Sequence, residues 1–185
     1  MLQRDMKKTD IERMINDKGD FVQIDYLTKF IKLSPPIDMK KYAYLKLAGI
    51  HLRRRMYQDA AKMFRGAAIN SLTFKEQKEN YLREAKSYIK AQKFEDSQKA
   101  LKKSFAEANL KERRELYDEL VSFYKKEGEE LLKKGLPGKA TSLFEKLIRM
   151  KLTVEDKKHA KEKLLALYQK LGKTKDYDFL KTIEY

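Results

Sequence analysis

Apolar residues recur at intervals of three and four along most of the chain, which is the pattern of amphipathic helices. Near the N-terminus, Thr9 with Glu12 forms a capping-box pattern that predicts the start of a first helix. Asp20 is predicted to cap the second helix, and Pro35 with Pro36 is predicted to stop it. The apolar positions of this second helix are Phe21, Ile24, Leu27, Phe30 and Ile31. These signals predict a divergent helix pair over residues 1–37.

Three further helix pairs and a C-terminal cap follow from the same pattern. Thr73 and Thr153 are predicted to cap helices, and Gly135 to Gly138 is predicted to form a sharp turn between two helices. Gly172 is expected to end the helix that follows Thr153, and residues 177–185 are expected to form a short final helix. The predicted pairs occupy residues 38–72, 73–110 and 111–152, with capping helices over 153–185.

The sequence also repeats itself. The segment from Tyr44 to Phe64 matches the segment from Tyr81 to Leu101 at an offset of 37 residues, and a third copy begins at Tyr124, 43 residues further on. A period of this length is typical of stacked helix pairs, each of which buries its apolar face against its neighbours. The prediction is therefore an all-α fold in one domain: antiparallel helix pairs stacked into a short right-handed α-solenoid. Such a fold favours binding over catalysis.

The aligned positions alternate aromatic, small and aliphatic residues. In the first copy they are Tyr44, Leu47, Ala48, His51, Ala60, Phe64 and Ala67. In the second they are Tyr81, Glu84, Ala85, Tyr88, Ser97, Leu101 and Ser104. In the third they are Tyr124, Glu127, Gly128, Leu131, Ala140, Phe144 and Leu147. This pattern resembles the tetratricopeptide repeat over residues 40–150, and a related array of helix pairs with the same fold class is the alternative. Three features depart from the family's pattern: Glu84 and Glu127 replace the usual leucine, the proline that usually ends the unit is missing, and the third unit is longer than the norm.

The resemblance implies a concave groove lined by the first helix of each pair. The positions implied for this groove are Leu45, Leu52, Leu82, Ile89, Lys125, Leu132 and Lys133. Since they mix basic and aliphatic side chains, the groove suits an acidic, partly apolar peptide or helix.

The net charge points to an anionic partner. The chain carries 43 Lys and Arg against 28 Asp and Glu, a formal charge of +15. The excess is concentrated in residues 42–78, which hold eight basic and two acidic side chains. A field of this sign attracts nucleic acid or an acidic protein. The residues predicted to bind the anionic partner are Arg53, Arg54, Arg55, Arg65, Lys86 and Lys90.

The sequence offers little for catalysis. Cysteine is absent, and the two histidines lie far apart, His51 at a packing position and His159 among lysines. No Gly-rich phosphate loop and no metal-ligand spacing occurs. We therefore expect no enzyme activity, no metal and no cofactor. No apolar run approaches the length of a membrane span, so a cytoplasmic protein without a membrane span is expected.

Three functions are compatible with these patterns. The first is a non-catalytic scaffold that docks on a ribonucleoprotein, with the ribosome as the leading example. The second is an adaptor that binds an acidic peptide in the groove. The third is a self-assembling structural protein, such as a homodimer, whose contact residues are Tyr177, Phe179, Leu180, Ile183 and Tyr185.

Overall fold

The computed structural model of the chain describes residues 2–106 and 108–184, and every regular element in these ranges is a helix. The all-α prediction is therefore confirmed. The helices are α1 (Lys8–Ile15), α2 (Asp20–Lys32), α3 (Ile37–Arg53), α4 (Tyr57–Ile69), α5 (Phe74–Lys90), α6 (Phe94–Ala106), α7 (Leu110–Lys133), α8 (Pro137–Ile148), α9 (Val154–Lys170) and α10 (Thr174–Thr182).

The chain divides into two compact units, residues 1–113 and 114–185. In the first unit, each helix from α2 to α6 packs against the next, and α1 contacts α2. In the second unit, α8 packs against α9, and α9 packs against α10. The predicted packing of consecutive helices is thus confirmed within each unit, and the single-domain organisation stays a prediction.

The N-terminal pair is built around a continuous apolar core, but its first helix begins earlier than predicted. The core comprises Leu2, Ile11, Ile15, Leu27, Phe30, Ala43, Leu47 and Ile50. The predicted cap at Thr9 is wrong, because the helix already begins at Lys8. The Asp10 carboxylate accepts a hydrogen bond from the Lys7 backbone N–H at 3.3 Å. An acid in the first turn thus satisfies a donor of the helix end, which leaves Thr9 inside the helix.

The second helix also differs from the prediction at its start. Gly19 occupies the cap position, and Asp20 is the first helical residue, so the predicted Asp20 cap is wrong. Phe21, expected among the apolar positions of this helix, is exposed, whereas Leu27 and Phe30 are fully buried. The first turn of α2 therefore contributes little to the core.

Four tight turns join the helices of α3–α4, α5–α6, α7–α8 and α9–α10 in the same way. In each, one residue has a positive φ: Arg55 (59°), Gln92 (60°), Gly135 (70°) and Gly172 (68°). The next backbone N–H donates to the carbonyl five residues earlier, at 2.8 to 2.9 Å: Met56 to His51, Lys93 to Tyr88, Leu136 to Leu131 and Lys173 to Tyr168. This is the Schellman arrangement that ends helices. The four left-handed residues lie 37, 43 and 37 positions apart, so the same turn recurs at α9–α10, a pair that the sequence analysis predicts as capping helices.

A lysine on each of three helices binds an acid in the first turn of a later helix. The pairs are Lys41 with Glu76 at 2.8 Å, Lys78 with Glu112 at 2.6 Å, and Lys125 with Asp156 at 2.6 Å. Each acid is the third residue of its helix, and each lysine lowers the pKa of its partner carboxyl. In the first unit this contact fastens α3 to α5 and α5 to α7, and in the second unit it fastens α7 to α9.

The same first turns carry the predicted caps. Thr73 accepts a hydrogen bond from the Glu76 backbone N–H at 3.2 Å, and Thr153 accepts one from Asp156 at 3.1 Å. The capping predictions at Thr73 and Thr153 are confirmed.

Two helical glycines allow aromatic rings to pack against the backbone. A Cβ added at Gly66 would lie 2.5 Å from the Tyr44 ring, and one at Gly128 would lie 2.8 Å from the Phe144 ring. The first contact brings α4 against α3, and the second brings α8 against α7. Both positions therefore require glycine because a side chain would displace the ring.

Candidate nucleic-acid interface

Five residues form a basic corner of the first unit, which we call the arginine corner: Asp20, Phe21, Arg53, Arg54 and Arg55. Asp20 and Phe21 begin α2, and the arginines occupy the end of α3 and the turn that follows it. The two helices pack against each other. Because α2 starts where α3 ends, residues more than 30 positions apart in sequence meet at this edge.

Asp20 holds two of the three guanidinium groups. Its Oδ1 accepts a hydrogen bond from Arg53 Nη2 at 2.9 Å, and its Oδ2 lies 3.7 Å from Arg54 Nη1. The Arg53 side chain nevertheless remains 61% exposed. Since a guanidinium has five N–H donors, this pairing orients Arg53 and leaves further donors for an anion.

The Phe21 ring packs against one of the guanidinium groups of the corner. The guanidinium carbon of Arg54 lies 3.9 Å from the ring centroid, a cation–π contact. The ring is 68% exposed, so solvent reaches much of its surface. The corner therefore presents an aromatic face directly beside fixed positive charge.

Arg55 is exposed at the left-handed position of the α3–α4 turn. A residue other than glycine loses roughly 1 kcal/mol or more in this conformation. The equivalent positions of the next three turns hold Gln92, Gly135 and Gly172. The turn geometry thus makes no demand for an arginine.

The other three predicted cations lie on α4 and α5 and make contacts of their own. Lys90 lies 5.7 Å from the centre of the Tyr57 ring, at the start of α4. Lys86 is half-buried on α5 and also makes contacts. Arg65 lies eight residues further along α4 than Tyr57, about 12 Å by helical rise. Arg65 is therefore about two helical turns along α4 from the ring that Lys90 approaches.

Arg65 has an internal partner that the sequence did not indicate. Its Nε and Nη2 both lie 2.7 Å from Glu84 Oε1, and its Nη2 also donates to the Tyr88 hydroxyl at 3.3 Å. The Glu84 side chain is fully buried. Burial raises the pKa of the Glu84 carboxyl, and the Arg65 guanidinium opposes that shift. Arg65 is thus part of the packing between α4 and α5.

The residues predicted to line a groove differ in their exposure and in their contacts. Leu82 and Ile89 are buried and belong to the core of the first unit. Leu45, Leu52 and Leu132 are half-buried, and Lys133 is exposed. Lys125 is bound to Asp156. Two of the aliphatic residues predicted to contact a peptide are therefore inaccessible to it.

The residues predicted for self-association surround a small concavity of the second unit. Phe179 is exposed, Leu180 is buried, and Tyr177 and Ile183 are half-buried. Phe179, Leu180 and Ile183 line a concavity of about 270 Å³ between α8, α9 and α10. Tyr185 lies outside the described residues.

The wall of this concavity contains a polar pair. The Tyr168 hydroxyl donates to Glu145 at 3.1 Å, and burial raises the Tyr168 pKa. Lys173 also reaches Glu145 at 3.5 Å. These groups satisfy one another and tie α8 to α9.

The two histidines lie in different units. His51 is buried at its packing position, as predicted, and burial lowers its pKa. His159 lies 3.6 Å from Glu129. Across residues 2–106 and 108–184, no group of three potential metal ligands occurs, and no helix is long and apolar enough to cross a membrane.

Sequence reasoning missed two members of the corner. Asp20 was interpreted as a helix cap and Phe21 as a core position. The prediction of this site rested on the three consecutive arginines alone.

Searches among protein-family models, curated proteins and solved structures found no match to this chain. The class of protein follows from its own residues. It is an all-α protein whose consecutive helices pack against each other and whose first unit carries an exposed cluster of arginines around one carboxylate and one aromatic ring.

Proposed function

We propose that this protein is a non-catalytic, tetratricopeptide-like helical-repeat scaffold that docks through the arginine corner on a ribonucleoprotein such as the ribosome. The observation that carries the proposal is the concentration of three consecutive arginines at an exposed helix end with one partly buried carboxylate between them. The planar guanidinium group binds phosphate with two parallel hydrogen bonds, so exposed arginines suit the phosphate groups of RNA.

The equivalent turns favour the repeat interpretation. Their left-handed residues recur at 37, 43 and 37 positions, and each closes the same hydrogen bond. This recurrence supports stacked units of one kind, although Glu84 and Glu127 depart from the family's pattern. Because Leu82 and Ile89 are buried, the corner is a better candidate for the docking site than the groove.

The left-handed turn supplies a sharp test. Arg55→Gly removes one positive charge and replaces the residue with the one that best tolerates a φ of 59°. Gln92→Gly makes the same backbone change at the equivalent position of the next turn and removes no charge. Lys75→Gln removes one charge from the start of α5, away from the corner. Comparison of the three variants distinguishes the effect of the backbone change, the effect of losing one charge and the effect of where that charge lies.

The measurement is co-sedimentation with ribosomal subunits from the source organism over a range of salt concentrations. We expect Arg55→Gly to weaken binding and to reduce the slope of log affinity against log salt by about 1, the value for one lost phosphate contact. Gln92→Gly and Lys75→Gln should keep the wild-type slope. Equal losses for Arg55→Gly and Lys75→Gln would show that only the total charge matters and would refute docking at the corner.

A further inference from the structure

The arginine corner combines positive charge with an exposed aromatic ring. Phe21 adds little to the core, being 68% exposed in the first turn of α2. Arg54 covers part of the ring at 3.9 Å and so fixes a guanidinium plane above it. The remaining ring surface is open to solvent. A large aromatic residue in this state forms a flat apolar surface bordered by positive charge.

The guanidinium groups around the ring are held in place. Asp20 accepts from Arg53 at 2.9 Å and lies 3.7 Å from Arg54. This contact costs the corner one positive charge, but it restricts two flexible side chains. Arg53 keeps most of its side chain in solvent. A ligand that binds here meets a fixed fork of donors rather than mobile side chains.

A nucleotide whose base is not paired fits this combination. Its phosphate can accept hydrogen bonds from Arg53 or Arg55, and its base can stack on the Phe21 ring. An acidic peptide uses the arginines but gains nothing from the ring, because the face of an aromatic ring carries negative partial charge that repels a carboxylate. A duplex presents phosphates, but its bases are stacked inside. The ring therefore discriminates among anionic partners.

We infer that Phe21 is a stacking platform for an unpaired nucleobase and that the arginine corner binds single-stranded segments of RNA. This inference rests on the proposed function and specifies the part of the ribonucleoprotein that the corner contacts. The stacking of one base on an aromatic side chain contributes about 5-fold to 100-fold in affinity.

The test compares two labelled strands in fluorescence anisotropy: an adenine-only RNA and a strand of equal length whose nucleotides lack bases. Both carry the same phosphates. We expect Phe21→Ala to weaken binding of the adenine strand by about 5-fold to 100-fold and to leave the abasic strand unaffected. Phe21→Tyr should restore binding of the adenine strand, whereas Phe21→Leu should not, since it keeps apolar area without a π face.

Phe74 provides the matched control. It is 66% exposed and begins α5, near the end of α4 that lies about 18 Å by helical rise from the α3–α4 turn. Phe74→Ala should leave both strands bound as in the wild-type protein. Circular dichroism of each variant checks that the helices are retained.

The outcomes separate the two proposals. Equal binding of both strands by Phe21→Ala and the wild-type protein would overturn stacking while docking through phosphates stands. Equal loss on both strands would also overturn stacking, because the base would contribute nothing. Failure of the wild-type protein to bind either strand would overturn binding of single-stranded RNA at the corner, whereas docking on a ribonucleoprotein is decided by the co-sedimentation of Arg55→Gly. Tighter binding of polyglutamate than of RNA, reduced by Phe21→Ala, would assign the corner to an acidic protein instead.

Discussion

The buried pair between Arg65 and Glu84 allows a quantitative prediction about stability. The Glu84 carboxylate is fully buried, and Arg65 donates to one of its oxygens through Nε and Nη2. The other oxygen, Oε2, is buried without a hydrogen-bond partner among the described residues. Arg65→Met keeps much of the apolar stem and removes the cation. The carboxyl group is then left buried without a counter-charge.

The cost of this change is bounded by the chemistry of Glu84. A carboxylate deprived of its partner can take up a proton, which at pH 7 costs about 3.4 kcal/mol for a group whose ordinary pKa is 4.5. Removing one partner of a buried ion pair costs about 3 to 5 kcal/mol. The two values agree, so we expect Arg65→Met to lower the free energy of unfolding by about 3 kcal/mol at pH 7.

Substitution of the other partner, Glu84, should cost less stability. Glu84→Leu removes the buried charge and leaves Arg65, which is 42% exposed and remains hydrated. We expect its cost to stay below about 1 kcal/mol. The double variant, Arg65→Met with Glu84→Leu, should be more stable than Arg65→Met alone by about 3 kcal/mol, because no charge is left buried. Urea denaturation followed by circular dichroism measures all three variants against the wild-type protein.

The pH dependence has a definite sign. Burial raises the pKa of Glu84 in the folded protein, and loss of Arg65 removes the opposing effect. A carboxyl with a raised folded pKa destabilises the fold above its unfolded pKa, and this destabilisation is lost as pH falls from the folded to the unfolded value. The deficit of Arg65→Met should therefore be about 3 kcal/mol at pH 7 and shrink towards zero near pH 4.5, the ordinary value. A small deficit that does not change with pH would refute the buried-pair interpretation, as would a cost of Glu84→Leu equal to that of Arg65→Met.

Two further predictions concern the turns and the inter-helix lysines. Gly135→Ala should lower the free energy of unfolding by about 1 kcal/mol, because φ is 70° and the added Cβ has free space, whereas Gln92→Gly should be neutral or stabilising by up to about 0.5 kcal/mol; equal destabilisation by both in thermal unfolding would contradict a left-handed turn. Lys78→Met should lower the urea midpoint at pH 7 and lower it less at pH 3, since Lys78 lowers the pKa of Glu112 and its benefit, present above the ordinary value of 4.5, is lost as pH falls through the lowered pKa. A loss of equal size at pH 3 and pH 7 would assign the role of Lys78 to packing.

Helix positions followed from the sequence because their signals are local. The period of apolar residues and the caps at Thr73 and Thr153 lie within one or two helical turns, and the structure places the helices accordingly. The prediction failed at Thr9, where two residues with equivalent chemistry compete. Asp10 satisfies the helix end in place of Glu12, and no local rule separates the two.

Long-range polar contacts could not be predicted from the sequence in the same way. Glu84 was recognised as a departure from the repeat pattern, but its partner lies on the preceding helix, 19 residues earlier. The pairing of Asp20 with Arg53 spans 33 residues. Such contacts depend on how two helices are rotated about their axes, and apolar periodicity fixes that rotation only to within a face. The same ambiguity hid the exposure of Phe21.

These contacts change the meaning of the chain's positive charge. Arg65 serves the α4–α5 packing, Lys78 joins helices, and Asp20 takes part of the charge of Arg53 and Arg54. Net charge therefore overstates the surface that is free to bind an anion. Arg55 differs from these charged residues, because the fold does not require an arginine at its position. The equivalent turn positions accept glutamine or glycine, and glycine suits the backbone better. An exposed arginine at a position where the fold does not require one is most simply explained by its charge, and that is the property the Arg55→Gly experiment removes.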